Sequence, residues 1–247
     1  MNIVVITGGS RGIGASTAIE CARRAMGVIL TYHRNPAAAQ AVVRRIVEAG
    51  GKAVALPLDV ADVASFPAFR QAVARAMRSE WGTDRLGGLV NNAGYGLYGP
   101  IETVTEAQFD GLMNVHLKGP FFLTQTLLPL LKDGASIVNM TSATTRVATP
   151  GVAPYAACKG GLEVLTRYMA KEFGDRRIRV NAVSPGPIRT ELGGGLNAEF
   201  EALLASQTAL GRVGEPEDVA RVIATLLGED GGWIDAQSIE VAGGYCA

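Results

Sequence analysis

Three side chains in the middle of the sequence have the types and the spacing to move a proton: Ser142, Tyr155 and Lys159. The last two stand in Tyr155-Ala156-Ala157-Cys158-Lys159, so on a helix they share one face and the ammonium sits under the phenol. A free tyrosine has a pKa of about 10 and is a poor base at neutral pH. A neighbouring cation stabilises the phenolate and is expected to draw that value down toward the working range. Ser142 follows an apolar strand-like run, Ala135 to Met140, and precedes Tyr155 by thirteen residues. Its hydroxyl can hold the same oxygen that the phenol protonates. A Tyr-x-x-x-Lys pair on a routine helix surface is common; it gains meaning from this serine and from what lies upstream.

Upstream is Ile3-Val4-Val5-Ile6-Thr7-Gly8-Gly9-Ser10-Arg11-Gly12-Ile13-Gly14. Four consecutive branched apolar residues suit a strand covered on both faces, as in a parallel sheet. In the turn that follows, Gly8 and Gly12 are free to take positive φ and bring backbone N–H groups to a pyrophosphate, and Gly14 lets the next helix lie close on the sheet. The helix N-terminus adds partial positive charge. The spacing is Thr-Gly-x-x-x-Gly-x-Gly, and no Gly-Lys-Ser/Thr follows, so this is not a P-loop.

The elements that must position these groups alternate along the whole chain. Helical stretches are expected at Ala15 to Met26, Pro36 to Ala49, residues 63 to 80, about Glu106 to Leu131, Tyr155 to about Phe173, and Glu217 to Leu227. Strands are expected at Val28 to Tyr32, Lys52 to Leu56, Gly87 to Asn91, Ala135 to Met140, Arg179 to Val183 and Ser238 to Val241, with Ile3 to Ile6 the first. This is an α/β pattern: a doubly wound, seven-stranded parallel sheet with helices on both faces, a Rossmann fold, in one domain spanning 1–247. Ligands of such sheets bind beyond the strands' carboxyl ends, at the switch point.

The second strand ends Thr31-Tyr32-His33-Arg34-Asn35, without the carboxylate that would meet the ribose of NAD. Arg34, with Arg11 of the glycine turn, offers two cations for a 2′-phosphate, so NADP(H) is favoured and NAD(H) is possible. Asn114 is a polar amide inside an apolar helix, where it needs a reason and a partner.

Composition excludes several other classes. The chain of 247 residues has 48% hydrophobic content, ample for a core, and 23 basic residues balance 23 acidic ones. With no long single-sign run, neither nucleic acid nor a membrane surface is an expected partner; a small-molecule ketone or alcohol is. Cys21, Cys158 and Cys246, with His33 and His116, lack metal-ligand spacing, so no metal is expected. The first strand begins at residue 3, the most apolar stretch, Phe121 to Leu131, is too short for a bilayer, and the expected location is cytoplasmic.

The glycine pattern, Asn91-Asn92-Ala93-Gly94, Ser142, Tyr155-x-x-x-Lys159 and Pro185-Gly186, in that order, resemble the short-chain dehydrogenase/reductase family over essentially the whole chain. The resemblance implies reversible hydride transfer between a nicotinamide and a carbonyl or secondary alcohol. Tyr155 would be the acid/base, Ser142 would hold the reacting oxygen, and Lys159 would tune Tyr155 and hold the nicotinamide ribose. The backbone of Asn114 would anchor a relay water. Cofactor contacts are implied at Gly8, Ser10, Arg11, Gly12, Ile13, Gly14, Arg34 and Asn35. Asp59 and Val60 would meet the adenine, with further contacts at Asn91, Ala93, Gly94, Pro185 and Gly186. Ile188 would reach the carboxamide and Thr190 the pyrophosphate. A substrate lid at about 189–210, hinged at Gly193-Gly194-Gly195, and a homotetramer pairing the helices of Asn114 and Tyr155 are also implied.

Family members usually carry Thr-Gly before the last strand and Val-Asp-Gly-Gly after it; here Asp235-Ala236 and Val241-Ala242-Gly243-Gly244 stand instead. Tyr95, Leu97, Tyr98, Ala143 to Val152 and Glu191 to Leu210 would wall a pocket for a neutral, medium-sized ketone, with Arg146 its one obvious cation. The alternative is a 3-oxoacyl-carrier-protein reductase. Its basic docking signal is half present, Lys132 being followed by Asp133 while Arg176 and Arg177 remain. A non-catalytic dinucleotide sensor is a further alternative, opposed by the joint retention of Asn114, Ser142, Tyr155 and Lys159.

Overall fold

The computed structural model describes residues 1–247. Strand β1 (Ile3–Ile6) sends alternate side chains to opposite faces, as the two-residue period of a strand requires. Ile3 and Val5 enter one core, and Val4 and Ile6 enter the other. The remaining strands are β2 (Gly27–Tyr32), β3 (Ala53–Pro57), β4 (Leu86–Asn91), β5 (Leu131–Met140), β6 (Arg179–Pro185) and β7 (Ser238–Val241). All pair in parallel in one sheet of order β3-β2-β1-β4-β5-β6-β7, so the seven-stranded expectation holds. The order reverses between β1 and β4, which is the switch point.

One face is covered by α3 (Phe66–Trp81), α5 (Gly119–Leu127) and α6 (Ala153–Phe173), through Phe66, Phe69, Met77, Leu123, Leu127 and Met169. The other face is covered by α1 (Gly12–Arg23), α2 (Pro36–Glu48) and α8 (Pro216–Leu227), through Ala18, Val42, Ile46, Val219, Ile223 and Leu227. Each large aliphatic side chain so buried contributes roughly 1.5–3 kcal/mol. Helices α4 (Glu106–Met113) and α7 (Ala198–Ser206) lie outside these layers, and α7 buries none of its residues. No helix is long and apolar enough to cross a membrane.

The single helix expected from Glu106 to Leu131 is three pieces. Between α4 and α5 the backbone takes a π-helical turn over Asn114–Lys118, and α5 stops at Leu127. Pro120 explains the break, because it has no N–H to give to the preceding turn. Gly119 donates instead to the Asn114 carbonyl five residues back. Glycine is required there, since a Cβ would stand 2.3 Å from the Val60 carbonyl oxygen. Strand β5 also starts earlier than expected. Leu131 pairs with Leu86 but Ser136 pairs with Gly88, and the surplus residues bulge through Gly134 at φ 76°.

Candidate active site

The glycine turn has the conformation its composition calls for, with φ of 65° at Gly8 and 53° at Gly12. A Cβ on Gly14 would lie 2.3 Å from the Gly8 carbonyl oxygen and 2.5 Å from Asn92 Nδ2. Helix α1 starts with Arg11 at its N-cap and no side-chain cap, which leaves its first N–H groups to a ligand.

Two residues outside the expected set build this cradle. Thr7 Oγ1 accepts from the backbone N–H groups of Asn92 and Ala93, both at 2.9 Å, and donates to the Val90 carbonyl at 3.1 Å. Asn92 Nδ2 donates to the carbonyls of Thr7 at 2.8 Å and Gly8 at 3.2 Å. The only signals for them in the sequence are a hydroxyl before the first glycine and an amide in the Asn-Asn-Ala-Gly turn.

Several expected cofactor residues are engaged elsewhere. The Asn91 side chain points into the core, donating to Asn139 Oδ1 at 2.8 Å and Thr124 Oγ1 at 3.2 Å. Asn139 in turn donates to Thr166 at 2.9 Å, so this amide ties β4 and β5 to α5 and α6. The Asn91 side-chain amide therefore lies against the central sheet as a structural tie. Asn35 caps α2 by accepting from Ala38 N–H at 2.9 Å. Asp59 accepts from Ala61 N–H at 2.9 Å and pairs with His33 at 3.4 Å. Arg11 meets Glu191 at 2.8 Å, whereas Arg34 is exposed and has no ion pair. Thr190 approaches the glycine turn, its Cγ2 lying 3.4 Å from where a Gly12 Cβ would be. Ile188 is bridged to Gly214, and Arg189 binds Glu215 at 2.9 Å and Glu201 of α7 at 2.7 Å.

Ser142, Tyr155 and Lys159 meet beyond the carboxyl end of β5. Ser142 leaves the strand in extended conformation and accepts from Thr144 N–H at 3.2 Å. Tyr155 stands in the first turn of α6, and Lys159 one turn further on is buried. Lys159 Nζ donates to the Met140 carbonyl at 2.6 Å and lies 5.5 Å from the centre of the Tyr155 ring. Burial pushes the phenol up to about 12, against a hydrogen bond with Ser142 that lowers it. Burial draws the Lys159 ammonium down to about 8. The direction at Tyr155 is set by burial, because taking a phenolate out of water is costly.

The third side chain against Tyr155 is His116, with ring centres 5.0 Å apart and planes at 82°. Asn114 makes no side-chain hydrogen bond in the protein, and its carbonyl is already bonded to Gly119 N–H. Sequence reading noticed His116 only as a poor metal ligand; what brings it into the site is the turn forced by Pro120.

A glycine cradle at the switch point, with a half-buried Tyr155 and a buried Lys159 beside it, defines a dinucleotide-binding oxidoreductase. Known proteins agree. A family model described as enoyl-(acyl carrier protein) reductase matches residues 8–246. An uncharacterized oxidoreductase of Methylorubrum extorquens is 38% identical over 98% of this chain and 96% of that relative. Elsinochrome reductase 1 of Elsinoe fawcettii is 36% identical over 99% of this chain and 94% of its own. The crystal structure of the angucycline C-6 ketoreductase LanV with bound NADP superposes with a TM-score of 0.95 at 33% identity, covering 99% of this chain and 95% of that one. The chain belongs to the short-chain dehydrogenase/reductase family, and it is an oxidoreductase.

Proposed function

We propose that the protein is an NADP(H)-dependent ketoreductase that reduces a neutral, medium-sized ring ketone. The observation that carries this reading is the Ser142, Tyr155 and Lys159 cluster, with Lys159 fixed at 2.6 Å on the Met140 carbonyl beside the phenol. The residues fit a dinucleotide: α1 begins uncapped, and Gly8, Gly12 and Gly14 leave space that a Cβ would fill. The glycine turn would hold the pyrophosphate, and Arg34 with Arg11 the 2′-phosphate. Val60 would meet the adenine, Lys159 the nicotinamide ribose, and Ile188 and Thr190 would close over the far end. Bound there, the nicotinamide supplies a hydride to the carbonyl carbon.

The protein's own part is to place a proton. The phenol is protonated at neutral pH and can give that proton to an oxygen gaining negative charge. Ser142 hydrogen-bonds the same oxygen and fixes its approach. Lys159 carries positive charge below about 8 and favours the phenolate left behind.

A ring ketone is supported by the aromatic Tyr95 and Tyr98, both exposed, and by relatives named trihydroxynaphthalene reductase and angucycline C-6 ketoreductase, the latter, LanV, also solved with NADP and rabelomycin. The carrier-protein alternative is weakened because Arg176 is consumed internally, binding Asp133 at 3.0 Å and the Leu128 carbonyl at 3.0 Å. We also read 1–247 as one domain, 189–210 as a lid over the pocket, and the assembly as a homotetramer. The test follows NADPH absorbance with polycyclic and monocyclic ketones, for the natural protein and Tyr155→Phe. Turnover of neutral ketones that falls about a thousandfold in the variant is expected. Variant activity above a tenth of the natural value overturns the reading.

A further inference from the structure

His116 is a buried titratable group that the proton transfer above leaves without a task. Its side chain is 2% exposed, and Nε2 lies 2.8 Å from the Tyr95 carbonyl oxygen. The Tyr95 backbone N–H also lies 3.4 Å from Nε2, but the carbonyl contact is much the shorter and a carbonyl only accepts, so the proton is assigned to Nε2. Nδ1 therefore keeps a lone pair, and it is buried with no partner in the protein. The ring sits edge-on to Tyr155, and Lys159 Nζ flanks that same tyrosine ring at 5.5 Å from its centre.

The surrounding sequence is shaped to admit this imidazole. Gly94 has no Cβ, and one built there would stand 2.6 Å from His116 Cε1 and 3.1 Å from Nδ1. The turn that Pro120 imposes on Asn114–Lys118 keeps His116 buried while Lys118, two residues on, stays exposed. The titratable groups facing the ring are Tyr155 and Lys159 on α6 and Tyr95 on the loop after β4, with Cys158 of α6 near both tyrosines. Burial and the nearby ammonium hold His116 neutral, down to about 3.

We propose that His116 is a positioning residue for Tyr155: as the neutral Nε2–H tautomer it ties the Gly94-Tyr95 loop to the phenol and, packed edge-to-face on that ring, holds it beside Lys159 without adding charge. The inference rests on Tyr155 being the proton donor. It gives one imidazole two consequences, since the phenol and the substrate wall at Tyr95 are held by the same ring. A charged side chain at this place would repel Lys159; a neutral ring does not.

The experiment has a spectroscopic arm and a kinetic arm. The protein has two histidines, so imidazole nitrogen NMR on 15N-histidine protein compares His116 directly with exposed His33. His116 is expected as the Nε2–H tautomer, unchanged between pH 5 and pH 8, a window above the value of about 3. An Nδ1–H tautomer, or titration inside that window, overturns the proposal, and neither result needs a variant. In the kinetic arm, His116→Phe keeps a ring edge on Tyr155 and loses both nitrogens, whereas His116→Gln restores a donor and an acceptor. His116→Phe is expected to lower kcat/KM by about tenfold or more and to move the tyrosine limb of the pH profile, with the NADPH Kd, read by fluorescence, within about threefold. His116→Gln is expected to recover most of the loss. A natural profile in His116→Phe while Tyr155→Phe is inactive overturns this inference alone; an active Tyr155→Phe overturns the underlying reading.

Discussion

Arg146, just after the turn that follows Ser142, and Glu240 of β7 form a two-pronged ion pair, with Nε at 2.9 Å and Nη2 at 2.6 Å from the two carboxylate oxygens. The same guanidinium binds the carbonyls of Tyr245 at 2.7 Å and Cys246 at 2.9 Å. The tail so held pairs with the end of the proposed lid, Ala209 and Leu210 donating to Gly244 and Gly243 at 3.2 and 3.1 Å. Arg146 is therefore matched within the protein and has little charge to offer a substrate. A ketone carrying a carboxylate should show no gain in kcat/KM over its neutral methyl ester. Arg146→Ala should raise KM for bulky ketones more than it lowers kcat. A clear preference for the carboxylate, lost in Arg146→Ala, would reverse this assignment.

Gly14 is under the tightest constraint in the cradle. Alanine there drives a methyl group into the Gly8 carbonyl and the Asn92 amide, at 2.3 and 2.5 Å before relaxation. Overpacking of this kind costs about 1–3 kcal/mol. The turn must open to accept it, so NADPH affinity should fall together with the denaturation midpoint. Gly50→Ala is a control for backbone strain, because φ there is 84° but nothing lies within 4 Å. Gly50→Ala should destabilise without altering NADPH Kd; equal effects on Kd from both variants would disprove the clash.

Burial makes the site's contribution to stability depend on pH with definite signs. His116 sits near 3 in the folded protein against 6.5 when free, so as pH falls the unfolded chain binds the proton first. That stability is whole above pH 6.5 and is lost progressively toward pH 3. Tyr155, raised to about 12 from 10, acts at the other end: the unfolded chain ionises first, and stability falls from pH 10 to 12. Lys159, at about 8 against 10.5, opposes this by adding stability as pH rises between those values. Melting temperatures at pH 7 and pH 4 should converge between the natural protein and His116→Gln as acid removes the histidine's contribution. An unchanged gap between the two curves would show that His116 is not buried as a neutral ring.

Cofactor choice should rest on Arg34 more than on Arg11, because Arg11 already meets Glu191 at 2.8 Å while Arg34 has no ion pair. A guanidinium on a phosphate makes charge-assisted hydrogen bonds, and losing it should cost about tenfold or more in kcat/KM with NADPH and little with NADH. Arg34→Ala should thus narrow the ratio further than Arg11→Ala does. Equal kcat/KM for NADPH and NADH in the natural enzyme would remove the basis of the NADP(H) assignment.

Much of this was legible in the sequence because it is local. The two-residue alternation in Ile3–Ile6, the glycines of the turn and the four-residue step from Tyr155 to Lys159 are each fixed by neighbours in the chain. The structure adds what depends on distant partners. The Asn91 amide has no legible partner until β5 places Asn139 at 2.8 Å from it, and Arg176 reads as a docking cation until Asp133 meets it. His116 was legible least of all. Its role depends on Pro120 breaking the hydrogen-bond ladder, and a helical pattern of apolar residues passes over such a break unnoticed.

The assembly prediction starts from apolar side chains that the fold leaves outside. Phe109 on α4, Phe121 on α5, and Val164 and Tyr168 on α6 are exposed, and Ile101, Val104 and Phe109 line an apolar groove against Ala153, Pro154 and Ala157. Val164 and Tyr168 are four apart on one helical face, so a partner packed on α6 would bury both. A closed symmetric assembly that pairs this face would cover them, and the natural protein should sediment as a tetramer at micromolar concentration. Replacing Val164 and Tyr168 together by Glu would place unpaired carboxylates in that contact, where desolvation is costly. The double variant should sediment as a smaller species while keeping its melting transition, since neither residue belongs to the two cores. A natural protein that sediments as a monomer, or a double variant that remains a tetramer, would sink the assignment of this face.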